Sequence, residues 1–139
     1  MQEMVDSLMS HPFLAVLAYF SVGILALIVF LSCFEWVTKY ESWDEIRKGN
    51  LSVAMATGGK MFGICNIFRF SIQANDTIYE SLTWAAVGFV LLLVAYFLFE
   101  FFTPVFRIDD EIGKDNRAVG FLAMILSVSL SYIIGAAVI

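Results

Sequence analysis

Charge is scarce in this sequence: Asp, Glu, Lys and Arg make up 15% of its 139 residues, where a soluble domain carries about 25%. The apolar share is 60% and the mean hydropathy +0.85. That leaves too little polar surface to cover one soluble core, and an integral membrane protein is the reading that fits. The net charge of −5 and the lack of a basic stripe argue against nucleic acid as a partner. Histidine is nearly missing. His11 is the only one, with no cysteine, aspartate or second histidine at ligand spacing, which argues against a zinc site or a catalytic dyad. Cysteine is limited to Cys33 and Cys65. Their predicted depths differ by roughly 15 Å at the helical rise, too far for a disulfide, so both read as small apolar packing residues. A phosphate-binding glycine loop is absent, because "ATGGK" lacks its spacing, and no nucleophile elbow occurs. Nothing points to an enzyme or a cofactor. The acidic run "RIDDEIGKD" gathers Asp109, Asp110, Glu111 and Asp115, but without EF-hand spacing and with Arg107 and Lys114 beside it.

What the chain does have is long apolar runs. Four occur, at Phe13–Val37, Leu51–Ile72, Trp84–Phe106 and Ala118–Ile139. Each is near the ~20 residues that a helix needs to cross a bilayer, and the short alternating segments of a membrane barrel are missing. The predicted fold is therefore an all-α polytopic membrane protein with four transmembrane helices. Residues 1–12 read as an extracytoplasmic tail and 73–83 as an extracytoplasmic loop. "MQEMVDSLMSHP" holds no lysine or arginine and the first apolar run is long, which predicts an anchor rather than a cleaved signal. Lys39, Arg47 and Lys48 fall between the first two helices, and Arg107, Lys114 and Arg117 between the last two. By the positive-inside rule both loops are cytoplasmic and both termini outside. Trp36 and Trp84 fall at predicted helix ends, where an interfacial belt places them.

The chain also repeats. "DEIRKGNLSVA" from Asp44 matches "DEIGKDNRAVG" from Asp110 at an offset of 66, and "FEWVTK" from Phe34 matches "FEFFTP" from Phe99 one gap away. This divides the protein into two tandem two-helix units, 13–72 and 84–139. An even number of helices per unit makes the two parallel. Asp44 precedes Lys48 by four, as Asp110 precedes Lys114, which supports a helical turn. Asn50 and Asn116 then stand where an amide oxygen can cap the next helix. The matched loop, with Asp44, Glu45, Lys48, Asn50, Asp110, Glu111, Lys114 and Asn116, reads as a well-made surface turn or as a docking surface for a cytoplasmic partner.

The four helices, the two units and the "ESWDEIRKGNLSVA" loop resemble the domain-of-unknown-function 350 family of small bacterial inner-membrane proteins. Trp43, Ile46, Lys48, Asn50, Ala54, Gly58, Gly63, Asn116 and Ala118 carry the resemblance, which covers nearly the whole chain from about Phe13. It implies fold, topology and location. It brings no substrate, cofactor or catalytic residue.

Small residues recur at a spacing of four: Ala54 and Gly58, Gly59 and Gly63, then Ala123, Ser127, Ser131 and Gly135. Such stripes let membrane helices approach closely. The partner helix belongs to the same chain or to a second copy, and homo-oligomerisation is a reasonable expectation for so small a membrane protein surrounded by lipid.

The second segment alone is polar within. Lys60, Asn66 and Arg69 stand where the repeat puts Leu126, Tyr132 and Gly135. Lys60 lies ~13 Å into a core about 30 Å thick and leans toward the loops. It can reach the level of Glu35 and Glu100, which are equivalent in the repeat. Two readings stand: a structural ion pair with one of these glutamates, or a charge facing water or an anionic ligand. Lys60, Glu35, Glu100 and Asn66 are thus the candidate intramembrane site. The functional readings follow: a structural or regulatory membrane component that acts through its loops, or an oligomeric channel or transporter subunit that uses the polar second helix.

Overall fold

The computed structural model describes residues 1–102 and 107–138. Its regular elements there are helices: α1 (Gln2–Met9), α2 (Pro12–Val37), α3 (Ser42–Arg47), α4 (Leu51–Ala74), α5 (Ile78–Phe101), α6 (Ile108–Gly113) and α7 (Arg117–Ala137). Four of them, α2, α4, α5 and α7, are long and apolar enough to cross a membrane. Two boundaries differ from those read off the sequence. The expected tail contains α1. The expected 73–83 loop shrinks to 75–77, because Thr77 caps α5 by accepting the Glu80 N–H at 3.2 Å. A hydropathy scan misses this polar first turn, and Trp84 therefore sits inside α5 rather than at its end. The end of the predicted third segment, 103–106, and Ile139 lie outside the described residues.

The helix starts obey local chemistry. Pro12 opens α2, where its missing N–H costs nothing. Asn50 and Asn116 cap α4 and α7 as expected, accepting the N–H of Val53 at 3.0 Å and of Val119 at 3.4 Å. Just before each cap the chain turns through positive φ, at Gly49 (86°) and at Asp115 (61°). Glycine takes that conformation freely. Asp115 is held in it, its carboxylate accepting the Ser52 N–H at 2.9 Å. The two asparagines differ in their amide groups. Asn50 Nδ2 also donates to the Gly113 carbonyl at 3.1 Å, while that of Asn116 bonds Glu111 at 3.0 Å. Replacing Asn116 by Ala is expected to cost about 1 kcal/mol, the usual loss of a cap. Asn50→Ala is expected to cost about twice that, because the half-buried Gly113 carbonyl loses its donor as well. Equal shifts in detergent unfolding would contradict this ranking.

At the centre lies α4. It runs beside α7 in the same direction, Ser52 meeting Gly120 near both starts and Phe70 meeting Gly135 near both ends. The stripe Ala123, Ser127, Ser131 and Gly135 is buried, as the spacing predicts, and its partner is α4 of the same chain. On α4, Gly59 and Gly63 complete the contact: a Cβ on Gly59 would stand 2.7 Å from Met124 Cα, and one on Gly63 3.3 Å from the Ser127 carbonyl. Gly58 is not part of it, since a Cβ there meets nothing within 4 Å. A step of ~100° around the helix turns it away from Gly59.

The helix α5 runs antiparallel to α4, with Ser71 Oγ donating to the Ser81 carbonyl at one end and Tyr96 beside Lys60 toward the other. Outermost is α2. It stacks Phe30 on Phe89 at 4.4 Å and sets Phe34 edge-on to the same ring, but leaves Phe13, Val16, Leu17, Phe20, Leu25 and Ile28 exposed. A surface of this kind suits lipid as the solvent. Cys33 packs against the core as expected, whereas Cys65 is exposed and outside it.

Candidate functional site

Lys60 sits about two and a half turns into α4 and is 2% exposed. Its ammonium lies over three aromatic rings supplied by three different segments: Phe34 of α2 at 5.3 Å, Tyr40 of the α2–α3 connection at 5.4 Å, and Tyr96 of α5 at 4.9 Å. Nζ also donates a hydrogen bond to the Tyr40 hydroxyl at 3.2 Å. A lysine within a membrane helix costs about 2.5–3.5 kcal/mol on insertion scales. A desolvated cation–π contact returns about 2 kcal/mol or more. Three rings and one hydrogen bond are therefore enough to hold the charge without a touching carboxylate.

Behind the rings the network continues. The Tyr96 hydroxyl donates to Asp109 Oδ1, and Asp109, at the start of α6, is buried. The Tyr40 and Tyr96 hydroxyls interact with each other. Burial, and after it the Asp109 charge, pushes the Tyr40 hydroxyl pKa above its ordinary value, so this group stays protonated. Asp109 and Glu35 act on Lys60 electrostatically from beyond the cage.

The expected pairing of Lys60 with Glu35 or Glu100 is not what the structure shows. Among the described residues the ion pairs are Lys48–Glu45 at 3.6 Å and Arg117–Asp115 at 3.9 Å. Glu35 Oε1 instead accepts the Ser42 N–H at 2.8 Å, and Glu100 Oε2 the Asp109 N–H at 3.3 Å. Each carboxylate thus sits at the start of a short helix, where free N–H groups attract an anion. Lys60 does lean toward the loops, but the rings intercept its ammonium first. Asn66 is separate again. It lies six residues on, about 9 Å along the axis, and bonds Ser131 Oγ on α7 at 3.0 Å while accepting from Arg69 at 3.4 Å.

Sequence reasoning missed Tyr40 and Tyr96, and it met Asp109 only as part of an acidic run. A signal was available. Lys60 stands opposite Leu126 in the repeat, Asp109 opposite Trp43, and Tyr96 opposite Leu31 in the upstream register. Every one of these members of the network occupies a place where the two halves differ.

The two loops interlock at one end of the bundle. Besides the Asn50–Gly113 bond, Ser52 Oγ donates to the Asn116 carbonyl at 2.8 Å. Glu45 and Glu111 bond the amides of Asn50 and Asn116 at 3.3 and 3.0 Å. Asp44, Lys48, Asp110 and Lys114 are exposed, as is Trp43. Lys48 pairs with Glu45 rather than with the expected Asp44, which is engaged by Glu41. That hydrogen bond raises the Glu41 pKa. In the acidic run Asp109 turns inward to Tyr96, Asp115 to Ser52 and Glu111 to Asn116. Among the described residues no three potential ligands converge on a metal position.

Comparison with known proteins identifies the family. The family model described as "Domain of Unknown Function (DUF350)" matches residues 7–138. The UPF0719 transmembrane protein YshE of Bacillus subtilis (strain 168) is 53% identical over 121 residues, covering 87% of this chain and 90% of that protein. The UPF0719 inner membrane protein YjfL of Escherichia coli (strain K12) is 25% identical over 107 residues, covering 77% of this chain and 80% of that protein. No solved structure matches the chain.

Proposed function

The chain belongs to the domain-of-unknown-function 350 family, and we propose that it is a multi-pass inner-membrane component that works by presenting its paired loops to a protein partner. It is not an enzyme in this reading. The burial of Lys60 carries the proposal. A lysine that lines a path for solute or ion faces water, whereas this one is 2% exposed and closed in by rings from α2, α5 and the α2–α3 connection. The second polar position, Asn66, is likewise spent on a helix contact. What remains open to a partner is the loop face, with Trp43, Asp44, Lys48, Asp110 and Lys114. The bonds that tie the start of α4 to the end of α6 and the turn after it support a preformed platform rather than two independent loops.

The same reading takes the protein as two tandem parallel repeats. Its support is the shared direction of α4 and α7, the matched caps Asn50 and Asn116, and the matched glutamates Glu35 and Glu100. It puts the loops in the cytoplasm and both termini outside, on the six basic residues of the loops. The exposed face of α2 is then left for lipid or a second copy.

The alternative, a channel or transporter subunit, draws on Thr57. Its Oγ1 is buried with no hydrogen-bond partner among the described residues, one turn before Lys60 on α4, and such a group invites water. Two measurements separate the readings. Photo-crosslinkers placed at Asp44 and Asp110 in cells are expected to give one defined protein adduct from the cytoplasmic side, lost in Trp43→Ala. Proteoliposomes are expected to show no proton or ion flux above protein-free vesicles. Flux that Lys60→Met abolishes, with no adduct from either loop, would replace the proposal by the alternative.

A further inference from the structure

A cleft of about 680 Å³ runs along the loop end of α5. Its chemistry is graded. At the loop end stand Lys39, from the α2–α3 connection, and Arg107, which precedes α6; below them Val94, Phe97, Leu98 and Phe101 line the wall. These four recur at i, i+3, i+4 and i+7, which puts them on one face of the helix. Glu100 also lines the cleft. One of its oxygens accepts the Asp109 N–H, and Lys39 acts on it electrostatically. Two cations against one carboxylate leave the rim with a net positive charge.

We propose that this cleft is a binding site for one anionic phospholipid, with the headgroup phosphate between Lys39 and Arg107 and an acyl chain along Val94, Phe97, Leu98 and Phe101. Three features point to lipid rather than to a free anion or a protein. The cations lie at the end of a membrane-spanning helix, where headgroups lie. The apolar wall runs from them into the span, as an acyl chain does. The two cations come from opposite halves of the chain, Lys39 before α3 and Arg107 before α6, so a phosphate between them bridges segments that no other cation of the cleft joins. Guanidinium offers a fork to phosphate oxygens, and ammonium a point charge. This assignment goes beyond the loop-docking reading and stands whether or not a protein partner exists.

The test is native mass spectrometry of the whole protein, released from mild detergent with phosphatidylglycerol or phosphatidylcholine added. The wild type is expected to retain one phosphatidylglycerol in preference to phosphatidylcholine. Lys39→Gln with Arg107→Gln is expected to lower that retention at least about tenfold, since basic groups at a membrane surface each contribute appreciably to anionic lipid binding. Lys48→Gln with Lys114→Gln removes the same charge from the loops and is expected to change retention less than about twofold. Leu98→Trp, which fills the cleft and leaves the cations, is expected to lower it as well. Equal loss in the two charge variants would mean bulk electrostatics and overturn the site. So would retention unaffected by Leu98→Trp, or displacement of the lipid by millimolar glycerol phosphate, which would make the cleft a site for a free phosphate.

Discussion

Lys60→Met is expected to destabilise the folded protein by about 2 kcal/mol, measured by unfolding in detergent, and Asp109→Asn in the same chain to recover at least half of that loss. The reasoning runs along the network. Removing one partner of a buried charge arrangement costs about 3–5 kcal/mol, because the other charge is left uncompensated. Here the loss is smaller. Asp109 keeps its bond from Tyr96, and methionine fills the aromatic cage with a polarizable side chain that rings accept. Removing both charges leaves neither to compensate, hence the recovery. Lys60→Met with Glu35→Gln is expected to show none, since Glu35 is held by the Ser42 N–H rather than by the lysine. Recovery through Glu35→Gln but not through Asp109→Asn would mean that the ion pair read from the sequence is real and that the cage is incidental.

Gly120→Ala and Gly59→Ala are each expected to cost about 2–3 kcal/mol, the upper range for forcing volume into a packed contact. A Cβ on Gly120 would stand 2.6 Å from Ser52 Cα, and one on Gly59 2.7 Å from Met124 Cα. Both obstacles are backbone, so no rotamer change relieves them and α4 must move away from α7. That movement also strains the Ser52 Oγ–Asn116 bond that ties the loops together. Gly58→Ala is the control. It meets nothing within 4 Å, and replacing a helical glycine by alanine gains roughly 0.5–1 kcal/mol. A variant set in which Gly58→Ala is as damaging as Gly59→Ala would contradict the packing of α4 on α7.

Much of the architecture is legible because lipid imposes a simple code. Predominantly apolar stretches of about twenty residues announce α2, α4 and α7, and the stripe from Ala123 to Gly135 announces a close contact. The asparagine caps could be read for the same reason, as the chemistry is local. The start of α5 could not, because its first turn is polar and only the Thr77 cap marks it. Nor could the choice between Gly58 and Gly59, since both fit a spacing of four and only the rotation of α4 against α7 decides. The candidate site was legible in half. Lys60 was conspicuous as a lone charge, but its partners come from α2, the α2–α3 connection, α5 and α6. Asp109 lies 49 residues further along the chain. The glutamates were attractive partners by charge and depth, yet the free N–H groups of α3 and α6 claim them first.

The burial of Lys60 in its cage is the claim on which the rest depends, and the unmodified protein can test it. Native membranes treated with a small, membrane-permeable amine-acylating reagent, followed by peptide mass spectrometry, report the reactivity of Lys39, Lys48, Lys60 and Lys114 in one sample. The account predicts that the other three acylate while Lys60 remains unmodified until the protein is unfolded. Acylation of Lys60 in the folded protein, at a rate comparable with that of the loop lysines, would contradict it and would put the ammonium in water.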